Sequence, residues 1–529
     1  MPSFSSPACG SLTLRQAAIL LACTCLAWAA MVLVSSGNLD GYHDMLENYA
    51  WSQPWLWGTH KHPPLFGWVV GLWFALFPQA DWAYRLLSFA NVAVGLMGVW
   101  ALGRRLGLGR LAAWGALLLL WSFPYTTLAG KFNANTQLLS LWPWTAALLL
   151  ASWQEKGARG LWCSAGLGLL AAACMLSKYY SGVLLAGFLL PVLLHPLGRR
   201  WLATPRPYLA LAVFALALAP HVAWMASHDW ATLGYAASQG GGAVSWSHLL
   251  RFALAPLFYW LPAWLGLGLL YATAHVRLTG AAPARTAARL LRLSWRPQGC
   301  GDVLFWLACM PWALTLLFGL AGVVELSTPW AIPIGYTFAL LWLRNLDALS
   351  PHATGWVLQR LRLAWWPVVG MALALAALVT AVNACQANPH YYRPTQAAAQ
   401  AIVQAWEQRH PGRKLQWVGG EWAENAMLAF YARPGLRTVP GLPDGFAAQL
   451  GGLGDWRRQQ GLLLCPLGPR ADHRTASDCT HQAQAWLQAQ GLPATPHLLS
   501  AERAGWLFPQ PQVFVYAVFD VPAATPRKE

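Results

Sequence analysis

The sequence predicts a polytopic α-helical membrane protein that ends in a small soluble α/β domain, and three observations predict it. Hydrophobic residues make up 57% of the 529, and charged residues only 10%. Apolar runs of bilayer-crossing length, about 20 residues each, recur throughout 1–384. From 385 onward the chain turns polar, with helix-like and strand-like segments in alternation. The 34 tryptophans fit this class, because indole collects at membrane interfaces where its ring is buried and its N–H stays wet. A net charge of +16 raises the question of nucleic acid. The arginines, however, are spread over short loops rather than gathered into a patch, so they read as topology signals and no nucleic-acid partner is expected.

The first apolar run, 14–34, has one arginine before it and no small-x-small cleavage site, and is expected to stay as a signal anchor. Further spans are expected near 82–102, 111–129, 136–153, 160–176, 180–195, 207–226, 247–273, 302–324, 329–344 and 364–384, about eleven in all. The segment 63–78, PPLFGWVVGLWFALFP, is apolar but short and bracketed by prolines. Charge decides its placement. If it does not cross, then Arg104, Arg105, Arg110, Lys156, Arg159, Arg199, Arg200, Arg206, Arg277, Arg285, Arg289, Arg292, Arg296, Arg344, Arg360 and Arg362 all fall on the cytoplasmic side. The opposite side keeps only Lys61, Arg85, Lys131 and Lys178 near the membrane, as the positive-inside rule requires. The segment is therefore expected to be an interfacial or re-entrant helix.

The same parity places 385–529 outside, in the periplasm of a Gram-negative cell, so the chain reads as 1–384 transmembrane, with a first outer loop at 36–81, and 385–529 periplasmic. In the tail, QAAAQAIVQAWEQ, EWAENAMLAFY and CTHQAQAWLQAQ read as helices, and KLQWVGG, GLLLCP and VFVYAVF as strands. Of ten cysteines, most lie in apolar runs as small hydrophobes; Cys465 and Cys479, in the oxidising compartment, are the disulfide candidates. The stretch 281–297 reads either as a basic helix on anionic headgroups or as a plain topogenic loop.

The unusual polar residues sort to the outer face. They are Asp40, Asp44, Glu47, His60, Lys61 and His62 in the first loop, Arg85, Lys131 with Asn133 and Asn135, and Lys178 with Tyr179 and Tyr180. Ionisable groups at membrane depth are costly and mark function. A carboxylate that accepts a hydroxyl proton beside cations that hold a phosphate leaving group has the logic of transfer from a lipid phosphate. Each residue also has a plainer reading. Lys131, Lys178 and Arg85 can be interfacial anchors, Asn133 and Asn135 can cap a helix, and Asp44 can be a solvated loop acid. His43, His60 and His62 can in principle bind a divalent metal, but their irregular spacing supports it weakly; neither a metal nor any other cofactor is expected.

These motifs resemble the bacterial family 39 membrane glycosyltransferases of the GT-C fold, which are similar to protein mannosyltransferases and the lipid A aminoarabinose transferase. DMLENYAWSQ at 44–53 and GTHKHPPL at 58–65 take the places of the family's first-loop motifs, and YRLLS at 84–88 resembles the opening of its second span. SKYYSGVLL at 177–185 and WMASHDWAT at 224–232 resemble two further stretches in order. The resemblance implies an inverting transferase on the periplasmic face of the bacterial inner membrane, using a polyprenyl-phosphate sugar as donor and a lipid, glycan or protein as acceptor. It implies Asp44 as catalytic base, His62 as the histidine before Pro-Pro, and Lys178 and Arg85 as holders of the donor phosphate. Three departures stand out: Met45 replaces an acid beside Asp44, Lys61 sits where relatives often carry one, and Asn133 and Asn135 stand near where many relatives carry another. Glu47, at i+3 from Asp44, is the candidate for the second carboxylate, and Asp40, at i−4, the rival for the base. The competing classes are a transporter or flippase and a non-catalytic assembly scaffold.

Overall fold

Apolar runs cross a bilayer as helices because a backbone N–H or C=O in hydrocarbon has no partner outside its own segment. In the computed structural model, residues 11–39, 44–53, 55–238, 244–386, 392–445, 453, 455–469, 477–504 and 511–523 are described. Among them, seven helices are long and apolar enough to cross: Leu14–Ser35, Asp81–Arg105, Gly157–Ser177, Arg206–Ala226, Trp246–Thr279, Val303–Leu320 and Pro351–Cys385. The polytopic helical class is the one expected, with a small sheet near the C-terminal end.

The expected spans differ from the observed helices at four places. The runs at 111–129 and 180–195 are bent pairs, Arg110–Trp121 with Phe123–Gly130 at 88° and Tyr179–Leu194 with Pro196–Leu202 at 102°. Pro124, second in Phe123–Gly130, and Pro196, first in Pro196–Leu202, lack the N–H that would continue the preceding helix. The run at 329–344 is two short 3₁₀ turns, Thr328–Ala331 and Ile334–Thr337, followed by the helix Phe338–Leu349. Ala134–Gln154 has span length but interrupts its apolar run with Asn135, Gln137, Ser140 and Pro143. The proline-bracketed segment forms the helix Leu65–Leu76, whose 12 residues rise about 18 Å against a hydrocarbon core of about 30 Å. That is too short to cross.

By contacts the chain divides into two compact units. The first comprises Met1–Ala30, Leu86–Ala223 and Leu233–Ala374. Its helices pack through small residues, as helices do where lipid offers no hydrophobic drive. A Cβ built on Gly95 would fall onto the backbone carbonyl of Leu139, and one on Gly168 onto that of Ala210. Polar side chains bond across the same seams: the Asn91 amide donates to the Thr136 carbonyl at 2.8 Å and accepts from Ser140 Oγ at 2.6 Å. Arg344 grips Asp302 through two hydrogen bonds of 2.6 and 2.7 Å, a bidentate pair at the head of Val303–Leu320.

The second unit comprises Met31–Arg85, Trp224–Thr232 and Leu375–Glu529, so the first loop and the C-terminal segment belong to one body. Its sheet has the order β2-β1-β3-β5-β4, from Arg437–Thr438 (β2), Trp417–Gly420 (β1), Gly461–Pro469 (β3), Gln512–Val521 (β5) and His497–Arg503 (β4). β1 pairs parallel with β2 and β3, while β5 runs antiparallel to β3 and β4. The helices Thr395–Arg409, Trp422–Tyr431 and Asp478–Ala489 occupy the three stretches read as helical. Trp417, Val439, Leu463, Cys465, Leu487 and Phe519 form the core, and Cys465 is joined to Cys479 as a disulfide.

The close approach at Gly95 yields a stability test. Gly95→Ala should lower the thermal midpoint in detergent by an amount corresponding to about 1–3 kcal/mol, the cost of overpacking a filled seam. Gly370→Ala, whose added Cβ meets nothing within 4 Å, should leave the midpoint unchanged or raise it slightly.

Candidate functional site in the first loop

The helix Asp44–Ser52 begins with Asp44 and carries Glu47 in its first turn. Two carboxylates at a helix N-terminus are favoured by the unsatisfied N–H groups and positive dipole end there. Everything from Met45 to Ser52 is buried, and Asp44 is half-buried at its head. Buried neighbours fix the helix in place: Tyr84 Oη donates to the Met45 carbonyl at 2.7 Å, and the Tyr49 ring meets Phe74 and Phe430 edge-on at 5.6 and 5.1 Å. Arg85, 3% exposed, donates from its guanidinium to the carbonyls of Leu39 and of Asn38, the latter at 3.2 Å. The arginine expected to hold phosphate thus bonds the backbone that leads into the loop.

Glu47 is 6% exposed and fully engaged. Lys61 Nζ donates to Oε1 at 3.0 Å and Oε2 at 3.1 Å, and the Trp422 indole N–H donates to Oε1 at 2.5 Å. Burial pushes the Glu47 carboxyl above its ordinary range, against the opposing pull of Lys61 and Trp422. Lys61, the residue that departs most from the resemblance, is the counter-ion of Glu47 and also lies 5.8 Å from the Trp51 ring centroid. The turn 59–62 sets its position, with Thr59 Oγ1 accepting from the His62 N–H at 2.9 Å and the Thr59 carbonyl accepting from Thr232 Oγ1 at 2.6 Å. The His62 ring packs edge-on against Trp51 and Phe66, and the His60 ring against Trp51 and Trp422. Burial, with Lys61 nearby, lowers the His60 imidazole to about 4.

Asp40 and His43 lie outside the described residues. Among the described residues, no three His, Cys, Asp or Glu side chains come together as a metal site.

The other expected residues belong to the first unit. Lys178 Nζ donates to Asn135 Oδ1 at 2.6 Å and lies 5.5 Å from the Trp330 ring centroid. Asn133 caps Ala134–Gln154, its Oδ1 accepting from the N–H groups of Asn135 at 3.0 Å and Thr136 at 3.1 Å. The Lys131 carbonyl accepts from Thr136 Oγ1 at 2.8 Å. Tyr179 Oη is 2.7 Å from His221 Nε2. Sequence reasoning missed Trp422, Trp330 and His221. His221 had a readable signal, an ionisable residue inside the apolar run ALAPHVAW. The two tryptophans had none, since 34 of them are scattered along the chain.

Two stability measurements test this packing. For His60, the folded imidazole sits below its unfolded value of 6.5, so the unfolded chain binds more protons between pH 6.5 and about 4. The stabilisation is present above 6.5 and lost as pH falls through 4; detergent unfolding curves should show a loss of about 2–3 kcal/mol over that window, and His60→Gln should flatten it. Lys61→Met should cost about 1–3 kcal/mol at pH 7 by leaving a buried carboxylate without its cation. Its deficit should shrink toward pH 4.5, where a protonated Glu47 needs no counter-charge.

Comparison with known proteins agrees with this architecture. The family described as dolichyl-phosphate-mannose-protein mannosyltransferase matches residues 61–224. The crystal structure of ArnT from Cupriavidus metallidurans bound to undecaprenyl phosphate aligns with a TM-score of 0.56 at 14% identity, covering 95% of this chain and 98% of that one. The apo state of the same protein aligns at 0.55 with 15% identity, covering 94% and 97%. No curated protein sequence matches. The chain therefore shares the GT-C membrane fold that its motifs imply, over nearly the whole length of both molecules.

Proposed function

We propose that the chain is an inverting membrane glycosyltransferase that moves a sugar from a polyprenyl-phosphate donor to a lipid, glycan or protein acceptor on the periplasmic face of a bacterial inner membrane. The match to the mannosyltransferase family over 61–224 and the fold shared with an ArnT that binds undecaprenyl phosphate support the class and the donor. The Cys465–Cys479 disulfide and the charge parity of the loops support an outward C-terminal segment.

The observation that carries the assignment of the base is the engagement of Glu47. Both its oxygens accept hydrogen bonds, from Lys61 and Trp422, which suits a positioning role. Asp44, one helical turn earlier at the half-buried helix head, takes the part of base. In the reaction, the Asp44 carboxylate accepts the proton of an acceptor hydroxyl as its oxygen attacks the anomeric carbon. The bond from that carbon to the phosphate oxygen breaks, and the polyprenyl phosphate leaves with the electron pair. Lys178, oriented by Asn135 and Trp330, is the proposed cation for phosphate, with Lys131 and Tyr179 in the same polar group. Arg85 shapes the loop from behind through the Leu39 and Asn38 carbonyls.

The test is transfer by the full chain reconstituted with a radiolabelled undecaprenyl-phosphate sugar and an envelope extract as acceptor source. Asp44→Asn should lower kcat by about 10²–10⁴-fold, the usual worth of a positioned base. Asp40→Asn should keep most activity, and Lys178→Gln should act mainly on donor KM. Undiminished transfer by Asp44→Asn removes Asp44 from the chemistry; loss in Asp40→Asn alone moves the base to Asp40. Label accumulating inside vesicles without covalent product would replace the transferase reading with transport.

A further inference from the structure

Between the spans Trp246–Thr279 and Val303–Leu320 the chain forms the helix Pro283–Leu293, PARTAARLLRL. Its two faces differ in kind. Thr286 and Leu290 are buried, while Arg285, Arg289 and Arg292, at i, i+4 and i+7, are exposed on the opposite side. Arg296, also exposed, follows on the turn after the helix. Among the described residues, none of these four side chains has a hydrogen bond, an ion pair or an aromatic partner. No acid occurs from 281 to 301. Other arginines of the same unit are engaged: Arg344 grips Asp302, and Arg277 and Arg360 stand 5.3 and 5.1 Å from the Trp356 ring centroid. A charge that only sets topology has to be in the loop, but it needs no common face.

Packing fixes the depth of the arginine stripe. On Trp246–Thr279, Leu250, Leu254, Phe258, Leu265 and Leu269 form one exposed apolar row. The row rises about 28 Å at 1.5 Å per residue, against a hydrocarbon core of about 30 Å, so Leu269 marks where the hydrocarbon ends on that side. The basic helix doubles back along this end. A Cβ built on Gly268 would fall onto the Leu291 side chain, and the Trp264 indole donates to Ser294 Oγ at 3.0 Å. Trp295 meets the Trp264 and Trp342 rings beside that bond, and the Asn345 amide donates to the Arg296 carbonyl at 2.8 Å. Arg292 and Arg296 flank these contacts and so stand at headgroup level. Arg289 lies about 4.5 Å and Arg285 about 10 Å further along the helix axis, toward water.

We propose that Arg292 and Arg296 form a binding site for the phosphate of an anionic phospholipid, with Arg289 and Arg285 adding attraction at longer range. A guanidinium offers a planar fork to phosphate oxygens, and two that have no internal counter-charge are open to an anion from outside. Basic segments beside a span are drawn to anionic lipid in this way. A lipid fits better than an acidic protein segment, because the helix is tied at both ends to spans and its two inner arginines sit at headgroup depth. The inference rests on the membrane fold and not on the transferase reading.

Native mass spectrometry of the full chain in detergent, titrated with phosphatidylglycerol or phosphatidylcholine, reads the affinity of the first lipid bound. Phosphatidylglycerol should bind at least tenfold more tightly. Arg292→Gln and Arg296→Gln should each weaken it about fivefold and together abolish the preference, with phosphatidylcholine unchanged. Arg292→Lys, which keeps the charge, should retain most of it. Arg285→Gln should cost less than twofold, since its position lies beyond a Debye length of about 8 Å. Arg413→Gln, an exposed arginine of the C-terminal segment, should change nothing. Because the four side chains touch no neighbour, none of these substitutions should move the thermal midpoint. Equal affinity for the two lipids, or a preference that survives the double variant, overturns the proposal. So do equal losses from Arg285→Gln and Arg292→Gln, which mark a diffuse surface, or displacement of the lipid by an oligoglutamate peptide, which marks a protein partner.

Discussion

A carboxylate taken out of water has to be matched by a cation and hydrogen bonds, or protonated, and Glu47 imposes that requirement on the second unit. Its two oxygens draw in Lys61 from the turn 59–62 and the indole of Trp422 from the C-terminal segment. Satisfying it therefore brings together two nearby stretches of the first loop and a third that lies 375 residues after Glu47. In the same unit Tyr49, Phe74, Tyr84 and Phe430 pack as an aromatic cluster, and Tyr431 Oη donates to Asp81 Oδ1 at 2.7 Å. The apolar contacts supply area, while the ion pair supplies register, since an aromatic cluster tolerates sliding and a bidentate lysine contact does not.

The two oddities of the loop explain each other. An acid turned into the protein interior and a lysine where the resemblance expects an acid look unrelated along the sequence. Placed 3.0 Å apart they are one neutral pair, so the lysine answers the charge that the acid buries. The polar group of the first unit has the same economy. Lys178 meets an amide oxygen and an indole face, two partners that orient its ammonium group.

Much of the fold was legible because it follows from local rules. Span length and loop charge gave the membrane class and the non-crossing helix Leu65–Leu76, and period and composition gave the three helices and the main strands of the tail. Asn133 as a cap and Cys465 with Cys479 were readable from residue type and compartment. What stayed hidden depends on distance. Nothing in EWAENAMLAFY says that its tryptophan meets Glu47, and hydropathy averages over the breaks at 121–123 and 194–196 that bend two expected spans. Asp44, Glu47 and Lys178 stood out by charge, whereas Trp422 beside Glu47 and Trp330 beside Lys178 were lost among many of their kind.

The bond between Trp422 and Glu47 joins residues 375 apart, and that separation also has a meaning in time. A ribosome adding about 5–20 residues per second needs roughly 20–75 s to make the intervening chain. Throughout that interval the loop helix is already synthesised with Glu47 lacking one of its donors. The loop is thus completed by a late part of the chain, so a protein stalled during synthesis carries the loop carboxylates but not the surface that sets them.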